Sequence, residues 1–290
     1  MPHVQNIAIA QISPKLGDFD ANLAIHHQYI ERAREQEAQV VVFPELGLTG
    51  YLLQDLTFEV ARRLDHPDIV SLVEASRDID VVFSFIEESD QHFIYISSVY
   101  ASAGAIVHVH RKAYLPTYGL FDEKRYAKEG NQVESFAVHG KKGGILICED
   151  AWHVSMPYLL TMQGATLLYI PASSPGRNVM DEHDFGSHTF WRQLLQMYAQ
   201  LFGVHIIFSN RVGYEDGVHF YGGSGIVGPD GHWIVQAGVG EETLVFGAID
   251  DRDVRRARYT TPLLRDERLE LMVRHLRRME SARTDNTRVE

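Results

Sequence analysis

The sequence has 290 residues and only one cysteine, Cys148. A single cysteine permits neither an intrachain disulfide nor a Cys-x-x-Cys metal site. This usage is typical of proteins kept in a reducing compartment. The first five residues also lack the basic region of a secretory signal. We therefore expect a cytoplasmic protein.

Long hydrophobic runs and basic charge are both scarce. The longest apolar stretches, such as residues 40–43 and 204–208, have strand length and not the ~18–20 residues of a membrane span. Lysine and arginine number 27 against 39 acidic residues, which gives a formal net charge of −12. Such a surface repels nucleic acid and anionic lipid. We expect neither a nucleic acid nor a membrane among the partners.

No linker rich in proline, glycine or serine divides the chain, and no repeat of constant period appears. Short β-branched runs alternate with helical patterns, for about a dozen strands and five or six helices. The pattern favours a mixed-sheet α/β or α+β domain, economically built as two sheets packed face to face with helices outside. Residues 1–260 are predicted to form this single domain, and residues 261–290 a C-terminal helix and polar tail.

Two local predictions concern the course of the chain. Residues 58–76 have a helical pattern and are expected to form one helix. The segments 224–227, 233–236 and 244–249 are expected to form an antiparallel meander, with a turn at residues 229–231. The same region matches a Gly-x-Gly-x-x-Gly pattern at residues 223–228. A dinucleotide site needs a helix after that pattern, so a hairpin is the favoured interpretation.

Cys148 stands where the predicted strand 144–147 gives way to a helix. A thiol at such a junction is exposed, and nearby helix N–H groups favour the thiolate. The N–H of the next residue, Glu149, can donate to an oxyanion. A buried core cysteine is the alternative, because free cysteines are among the most buried residues. The acids Glu149 and Asp150 would be awkward to bury beside a purely structural cysteine.

Glu45 and Lys112 occupy similar positions. Glu45 follows the strand 40–43, where a carboxylate against an apolar wall can act as a general base. Lys112 follows the strand 105–110, where a cation could orient the base and stabilise a tetrahedral oxyanion. Alone, each is more simply a solvated loop acid or a surface basic residue. Together with Cys148 they place an acid, a cation and a nucleophile at strand ends, a sufficient set for acyl transfer.

Three motifs occur in a fixed order: Phe43-Pro44-Glu45, Arg111-Lys112 and Cys148-Glu149-Asp150. With them the sequence resembles the nitrilase superfamily of carbon–nitrogen hydrolases, from residue 7 to about residue 258. The resemblance implies an α/β fold, a four-layer αββα sandwich of two mixed sheets. It also implies Glu45, Lys112 and Cys148 as a catalytic triad. A homodimer or higher even-numbered homo-oligomer, assembled through a helix face, is the further implication.

Within the superfamily, the sequence is most similar to the glutaminase domain of glutamine-dependent NAD synthetase. The similar segments are residues 45–51, 112–123 and 148–152. This resemblance implies Glu123 as a second active-site carboxylate that positions the substrate and the base. The substrate-binding residues expected on this basis are Tyr51, Tyr118, Glu149, Trp152, Ser174 and Arg177.

Two differences between this sequence and its relatives limit the activities that we expect. True nitrilases carry Cys-Trp-Glu at the nucleophile, whereas Glu149 and Asp150 follow Cys148 here, so an amide is favoured over a nitrile. The 290 residues contain no Ser-Gly-Gly loop for ATP, so we expect that this chain does not make NAD by itself. Residues 181–184 and His188 lack a metal-ligand spacing, and no metal or organic cofactor is expected.

The sequence thus predicts an amidase that cleaves a carboxamide C–N bond to an acid and ammonia through a cysteine thioester. The partner of the reaction is a small-molecule amide. Three alternatives stay open. The chain could be a glutaminase subunit that supplies ammonia to a separate synthetase, an N-carbamoyl-amide hydrolase, or a non-catalytic scaffold on the same fold.

Overall fold

The computed structural model of the chain describes residues 4–176 and 186–286. The strands are β1 (Val4–Gln11), β2 (Val40–Val42), β3 (Asp80–Glu88), β4 (Ile94–Ser102), β5 (Ala105–Arg111), β6 (Phe136–Val138), β7 (Lys141–Ile145), β8 (Leu167–Ala172), β9 (His205–Asn210), β10 (Val212–Glu215), β11 (Val218–Tyr221), β12 (Gly225–Val227), β13 (Trp233–Gln236) and β14 (Thr243–Asp250). The helices are α1 (Phe19–Glu35), α2 (Thr57–Val60), α3 (Pro67–Ala75), α4 (Glu123–Tyr126), α5 (Ser155–Met162), α6 (Gly186–Phe202), α7 (Asp251–Thr260) and α8 (Leu269–Asn286). Short 3-10 helices occupy Gln54–Leu56 and Cys148–Trp152.

Two six-stranded mixed sheets form the centre of the fold. The first has the order β14-β1-β2-β3-β4-β5 and the second the order β13-β12-β9-β8-β7-β6. In each sheet three neighbouring strands are parallel, β1-β2-β3 in the first and β7-β8-β9 in the second. Strands β10 and β11 form a separate hairpin.

The alternation of side chains along each strand assigns the layers. Ile7 and Ile9 of β1 pack in a core shared with Ile145 and Ile207 of the second sheet, so this core lies between the sheets. The opposite side of β1 packs with side chains of α1 and α3. The outer side of the second sheet packs with α5 and α6. This arrangement is the predicted αββα sandwich.

The single helix expected at residues 58–76 is wrong. The structure has α2, an extended residue Ala61, and a separate α3 that begins at Pro67. The ring of Pro67 restricts His66 to extended backbone, observed as φ −65° and ψ 139°. Proline is therefore the first residue of a new helix, a position where its missing N–H costs no hydrogen bond.

The expected meander is correct for two of its three strands. Strands β12 and β13 pair antiparallel across the turn after Val227, as the hairpin interpretation predicted. Strand β14 instead leaves this sheet and pairs antiparallel with β1, with Val4 opposite Asp250. There it covers the edge of β1 that would otherwise present unpaired backbone groups. None of the described helices has an apolar stretch long enough to span a bilayer.

Candidate active site

A buried lysine between two carboxylates forms the centre of the candidate site. Glu45 lies just beyond the carboxyl end of β2, Lys112 directly after β5, and Glu123 at the start of α4. The Lys112 Nζ atom lies 2.7 Å from Glu45 Oε1 and 2.7 Å from Glu123 Oε1. Glu45 and Lys112 are almost completely shielded from solvent, and Glu123 is buried as well. The structure therefore brings together three of the four predicted catalytic side chains in direct contact.

The electrostatics of this cluster follow from burial and from the pairing. Burial alone would lower the pKa of Lys112, but the carboxylates of Glu123 and Glu45 outweigh it and hold that pKa well above its usual value. Burial raises the pKa of Glu123 to about 7, a rise that the Lys112 ammonium limits. The Tyr51 hydroxyl donates a hydrogen bond to Glu123 Oε1. Burial followed by the charge of Glu123 raises the pKa of Tyr51 well above its usual value.

Cys148 is half-buried and begins the short 3-10 helix that follows β7. Its φ of +47° lies in the left-handed region that non-glycine residues rarely adopt. Burial raises the pKa of the thiol well above its usual value, and the Glu45 carboxylate adds to the rise. Lys112 opposes it. The charges of Glu45, Lys112 and Glu123 all act on this thiol, so Cys148 lies near the cluster.

This thiol differs from the sequence-based expectation. We expected helix N–H groups to favour the thiolate, but the helix after Cys148 is only one short 3-10 segment. Its dipole is too small to offset desolvation and a neighbouring carboxylate. Desolvation and the Glu45 carboxylate therefore favour the protonated thiol over the thiolate.

Ser173 is a site residue that the sequence analysis did not single out. It follows β8, and its backbone N–H donates to Glu45 Oε2 at 2.9 Å. Its hydroxyl donates to the Glu45 backbone carbonyl at 2.8 Å. These two hydrogen bonds fix Glu45 of the first sheet to the second sheet. The signal available in the sequence was position, because Ser173 directly follows a buried strand as Glu45 and Cys148 do.

Three of the predicted substrate-binding residues lie together beside the cluster. The Tyr118 hydroxyl donates to Glu149 Oε2 at 2.9 Å, and Phe121 packs edge-on against both Tyr118 and Tyr51. One side of the cluster, bounded by α4 and the 3-10 helix Cys148–Trp152, therefore holds Tyr51, Tyr118 and Glu149. Trp152 lies further along that helix and stacks on Phe190.

Ser174 has a supporting position in the described structure. Its backbone N–H donates to Asn210 Oδ1 at 2.8 Å. Its hydroxyl accepts a hydrogen bond from Trp191 Nε1 at 3.0 Å. These contacts join the end of β8 to β9 and α6. Arg177 and residues 181–184 lie outside the described residues.

A buried ion pair supports the loop that carries Tyr51. Glu215 Oε1 accepts hydrogen bonds from the backbone N–H groups of Tyr51 and Leu52, at 2.8 and 2.5 Å. The guanidinium of Arg211 lies 2.5 Å from Glu215 Oε2 and over the ring of Phe220. Burial lowers the pKa of Arg211, and Glu215 counteracts this. The sequence analysis singled out neither Arg211 nor Glu215.

A cavity of about 300 Å³ adjoins the cluster on the side of Tyr51 and Glu123. Its wall is mostly apolar. Besides those two residues it is lined by Leu46, Leu52, Leu53, Gln54, Thr57, Ile86, Ile96, Leu120, Asp122, Arg125, Tyr126 and Ala127.

Residues 6–259 match the model of the family described as Carbon-nitrogen hydrolase. The chain belongs to the carbon–nitrogen hydrolase family. This is the nitrilase superfamily that the motifs indicated, and membership makes the chain a hydrolase of carbon–nitrogen bonds. The family match covers both sheets and all four predicted catalytic residues.

Within the family, relatives of two kinds are similar to this chain. It is 30% identical over 244 residues to the glutamine-dependent NAD(+) synthetase of Acinetobacter baylyi, a match that covers 84% of this chain and 44% of the synthetase. The chain therefore spans less than half the length of such curated relatives. It is 27% identical to the N-carbamoylputrescine amidase of Solanum tuberosum, over 88% of this chain and 89% of the amidase.

A solved structure supports the fold and the class of chemistry. The amidase from Nesterenkonia sp. AN1 has a TM-score of 0.79 and 27% identity, and the match covers 93% of this chain and 96% of the amidase. That structure is of a Glu-to-Gln mutant of the amidase, and it shows covalent addition of the acetamide moiety of fluoroacetamide at the active-site cysteine.

Proposed function

We propose that this enzyme hydrolyses a small carboxamide to a carboxylic acid and ammonia through a thioester on Cys148. The observation that carries the proposal is the buried Lys112 ammonium between Glu45 and Glu123, with the charges of all three acting on the Cys148 thiol. A general base, a cation and a nucleophile in one buried cluster are the groups that amide acyl transfer needs. The Nesterenkonia amidase supports the choice of nucleophile, because its active-site cysteine carries a covalent adduct.

In the proposed first half-reaction, Glu45 takes the proton of the Cys148 thiol. The thiolate attacks the amide carbonyl carbon and forms a tetrahedral oxyanion. The Lys112 ammonium and the backbone N–H of Glu149 stabilise this oxyanion. Protonated Glu45 then gives its proton to the leaving nitrogen, the C–N bond breaks, and ammonia departs from the thioester.

In the second half-reaction, Glu45 removes a proton from a water molecule that attacks the thioester carbonyl. The C–S bond breaks, the acid is released, and the proton returns from Glu45 to the sulfur. The raised thiol pKa makes the base necessary, because little thiolate exists before substrate binds. Glu45 is suited to the role because Ser173 fixes one of its oxygens and Lys112 the other.

Glu123 is proposed to position both the substrate and Lys112. One of its oxygens contacts Lys112 and Tyr51, whereas Oε2 is buried without a hydrogen-bond partner among the described residues. A buried carboxylate oxygen without a donor is costly, and the amide N–H of a substrate would supply that donor.

The test is ammonia release by the wild-type enzyme and by Cys148→Ala. The panel contains glutamine, asparagine, short aliphatic amides, an N-carbamoyl amine and one nitrile. We expect release from at least one amide that is abolished in Cys148→Ala, and an acyl adduct on the wild-type protein by intact mass. Equal release by a folded Cys148→Ala protein would contradict the thioester mechanism.

Two finer activities are supported by the relatives. A glutaminase that supplies ammonia to a separate synthetase is favoured by the similarity to NAD synthetase and by Glu149, whose carboxylate could pair with the ammonium of glutamine. Activity on glutamine that rises when a synthetase is added would support it. An N-carbamoyl-amide hydrolase is favoured by the similarity to N-carbamoylputrescine amidase, and carbon dioxide among the products would identify it.

We also propose a homodimer assembled through α5 and α6. Phe190, Met197 and Leu201 recur at helical spacing on α6 and are exposed, as is Leu159 on α5. Apolar side chains that line one helix face are typical of an interaction surface.

A cytoplasmic location is proposed for a chemical reason, because the reaction needs Cys148 as a thiol and reducing compartments maintain thiols.

A further inference from the structure

Asp150 is completely buried, yet four donors meet its carboxylate. Its Oδ1 atom accepts from the backbone N–H groups of Ala113 and Tyr114, at 3.0 and 2.9 Å. Its Oδ2 atom accepts from the backbone N–H of Ile147 at 3.1 Å and lies 2.8 Å from His110 Nε2. Because a carboxylate only accepts, the His110 Nε2 atom carries the proton. Four donors on two oxygens leave this side chain little freedom to rotate.

The donors are neighbours of the two residues that the proposed reaction brings together. Ala113 directly follows Lys112, and Ile147 directly precedes Cys148. Lys112 comes after β5 in the first sheet, whereas Cys148 comes after β7 in the second. The Asp150 carboxylate therefore links the backbone on one side of the lysine to the backbone on one side of the cysteine.

The hydrogen bonds of the Lys112 backbone itself lie on its own side of the molecule. Its N–H donates to the Ile96 carbonyl of β4, and its carbonyl accepts from the N–H of Gly130. These contacts fix the backbone of Lys112 relative to the first sheet, and neither of them crosses the gap to the second sheet. Asp150 supplies a direct hydrogen-bonded connection across that gap.

We propose that Asp150 is a positioning residue that sets the distance between the Lys112 ammonium and the Cys148 sulfur, and that His110 holds the Asp150 carboxylate in orientation. The inference rests on the proposed function, because it assigns Asp150 to the oxyanion site that Lys112 and Cys148 would form. The Lys112 ammonium can stabilise the oxyanion only if it lies within hydrogen-bond distance of that oxygen while the carbonyl carbon is bonded to the Cys148 sulfur. A misplacement of about 1 Å can cost about 10²-fold in rate.

The main experiment compares Asp150→Asn with the wild type. Asparagine has the same shape, but one of the two oxygens becomes an NH₂ group. In either orientation this NH₂ group faces two N–H donors and cannot accept their hydrogen bonds. We expect kcat to fall by about 10²-fold, with KM little changed, because substrate binding is left in place and transition-state geometry is lost. A wild-type kcat in Asp150→Asn would overturn the proposal.

Asp80→Asn is the matched control. Asp80 is also buried, accepts from the Tyr100 hydroxyl at 2.6 Å and lies 2.8 Å from His139 Nε2. It begins β3, at the opposite strand end from Glu45. We expect Asp80→Asn to keep the wild-type kcat. An equal loss of kcat in both variants would show that any broken buried network slows the enzyme, and the specific role of Asp150 would be refuted.

A second pair of variants keeps the proposal testable if Asp150→Asn does not fold. Glutamine can place its amide nitrogen near the position of His110 Nε2, so His110→Gln retains the donor to Asp150. His110→Leu removes it. We expect His110→Gln to keep most of the wild-type kcat and His110→Leu to lose a larger part of it, again with little change in KM. Equal kcat in the two variants would exclude the role of His110.

Alkylation of Cys148 by iodoacetamide gives a readout that needs no substrate. The thiolate is the reacting form, and a nearby Lys112 ammonium favours it. We measure the alkylation rate as a function of pH. For Asp150→Asn we expect this pH profile to shift to higher pH, and for Asp80→Asn we expect it to match that of the wild type. If the wild type hydrolyses no amide, the proposed function fails, and this profile still decides the role of Asp150. A profile of Asp150→Asn that coincides with the wild type refutes it.

Discussion

At the scale of single residues, the site depends on one ammonium shared by two acids. The Lys112 Nζ atom lies 2.7 Å from Glu45 Oε1 and 2.7 Å from Glu123 Oε1, in a region that water hardly reaches. Buried charges are tolerated only where they are paired and hydrogen-bonded. Lys112 is therefore both the counter-ion that permits two buried carboxylates and the proposed oxyanion donor.

Replacement of this lysine tests both roles. Lys112→Met removes the oxyanion donor, and we expect kcat to fall by about 10²–10³-fold. It also leaves two buried carboxylates without a cation, and we expect lower stability in urea unfolding. Lys141→Met is the control, since Lys141 pairs with Asp251 at 2.9 Å outside the site. A Lys112→Met enzyme with the activity of that control would contradict the proposed role.

The pKa of Glu123 gives a prediction of pH dependence. Its native value of about 7 lies above the ordinary value of 4.5. Between these two pH values the native protein keeps a proton that the unfolded chain has released, so stability is lost as pH rises toward 7. Glutamine does not titrate. We expect the thermal midpoint of Glu123→Gln to rise relative to that of the wild type between pH 4.5 and 7. Above pH 7 the difference between the two midpoints is expected to stay constant.

Glu59→Gln, at an exposed position of α2, is the control for that measurement. Its midpoint is expected to run parallel to the wild type over the same pH range. Parallel curves for Glu123→Gln as well would show that Glu123 does not titrate as the structure indicates.

At the scale of elements, the loop after β2 is held in place by the hairpin of β10 and β11. Glu215 at the end of β10 accepts from the backbone of Tyr51 and Leu52, and Arg211 neutralises it from just before the same strand. A loop is thereby attached to a rigid element that is remote in sequence. Tyr51 in turn donates to Glu123, which connects this attachment to the Lys112 cluster.

Loss of one partner of this ion pair is expected to destabilise the protein. Arg211→Met leaves the buried Glu215 charge uncompensated, for which the expected cost is about 3–5 kcal/mol in urea unfolding. In Arg211→Met combined with Glu215→Gln the uncompensated charge is gone, and the amide oxygen still accepts from the Tyr51 loop. We expect the double variant to be more stable than Arg211→Met alone. A double variant that is less stable than the single one would contradict this account.

At the scale of the whole molecule, the exposed apolar side chains of α6 predict self-association. Met197→Glu combined with Leu201→Glu places two charges in the proposed interface, and we expect a dimer to become a monomer in sedimentation velocity. Val70→Glu is the control, because Val70 is exposed on α3 on the other side of the sandwich. Identical sedimentation of the wild type and the α6 variant would rule out this face as the interface.

The fold class and the positions where chemistry could occur were predictable from the sequence. Alternating and continuous apolar runs predicted buried strands, and Glu45, Lys112 and Cys148 each follow one. Because the residues after buried strands emerge at a sheet edge, local pattern was enough to place them. The order of their motifs then indicated the family, which the match over residues 6–259 confirms.

How these residues are held, and what burial does to their pKa values, depends on the folded chain. The contact of Ser173 with Glu45 joins residues 128 apart in the sequence, and Asp150 joins segments from both sheets. No local pattern encodes such a contact, because it depends on which strands become neighbours. The pairing of β14 with β1 escaped sequence reasoning for the same reason. The raised pKa of Cys148 likewise follows from the desolvation and charges of groups that only the folded chain assembles.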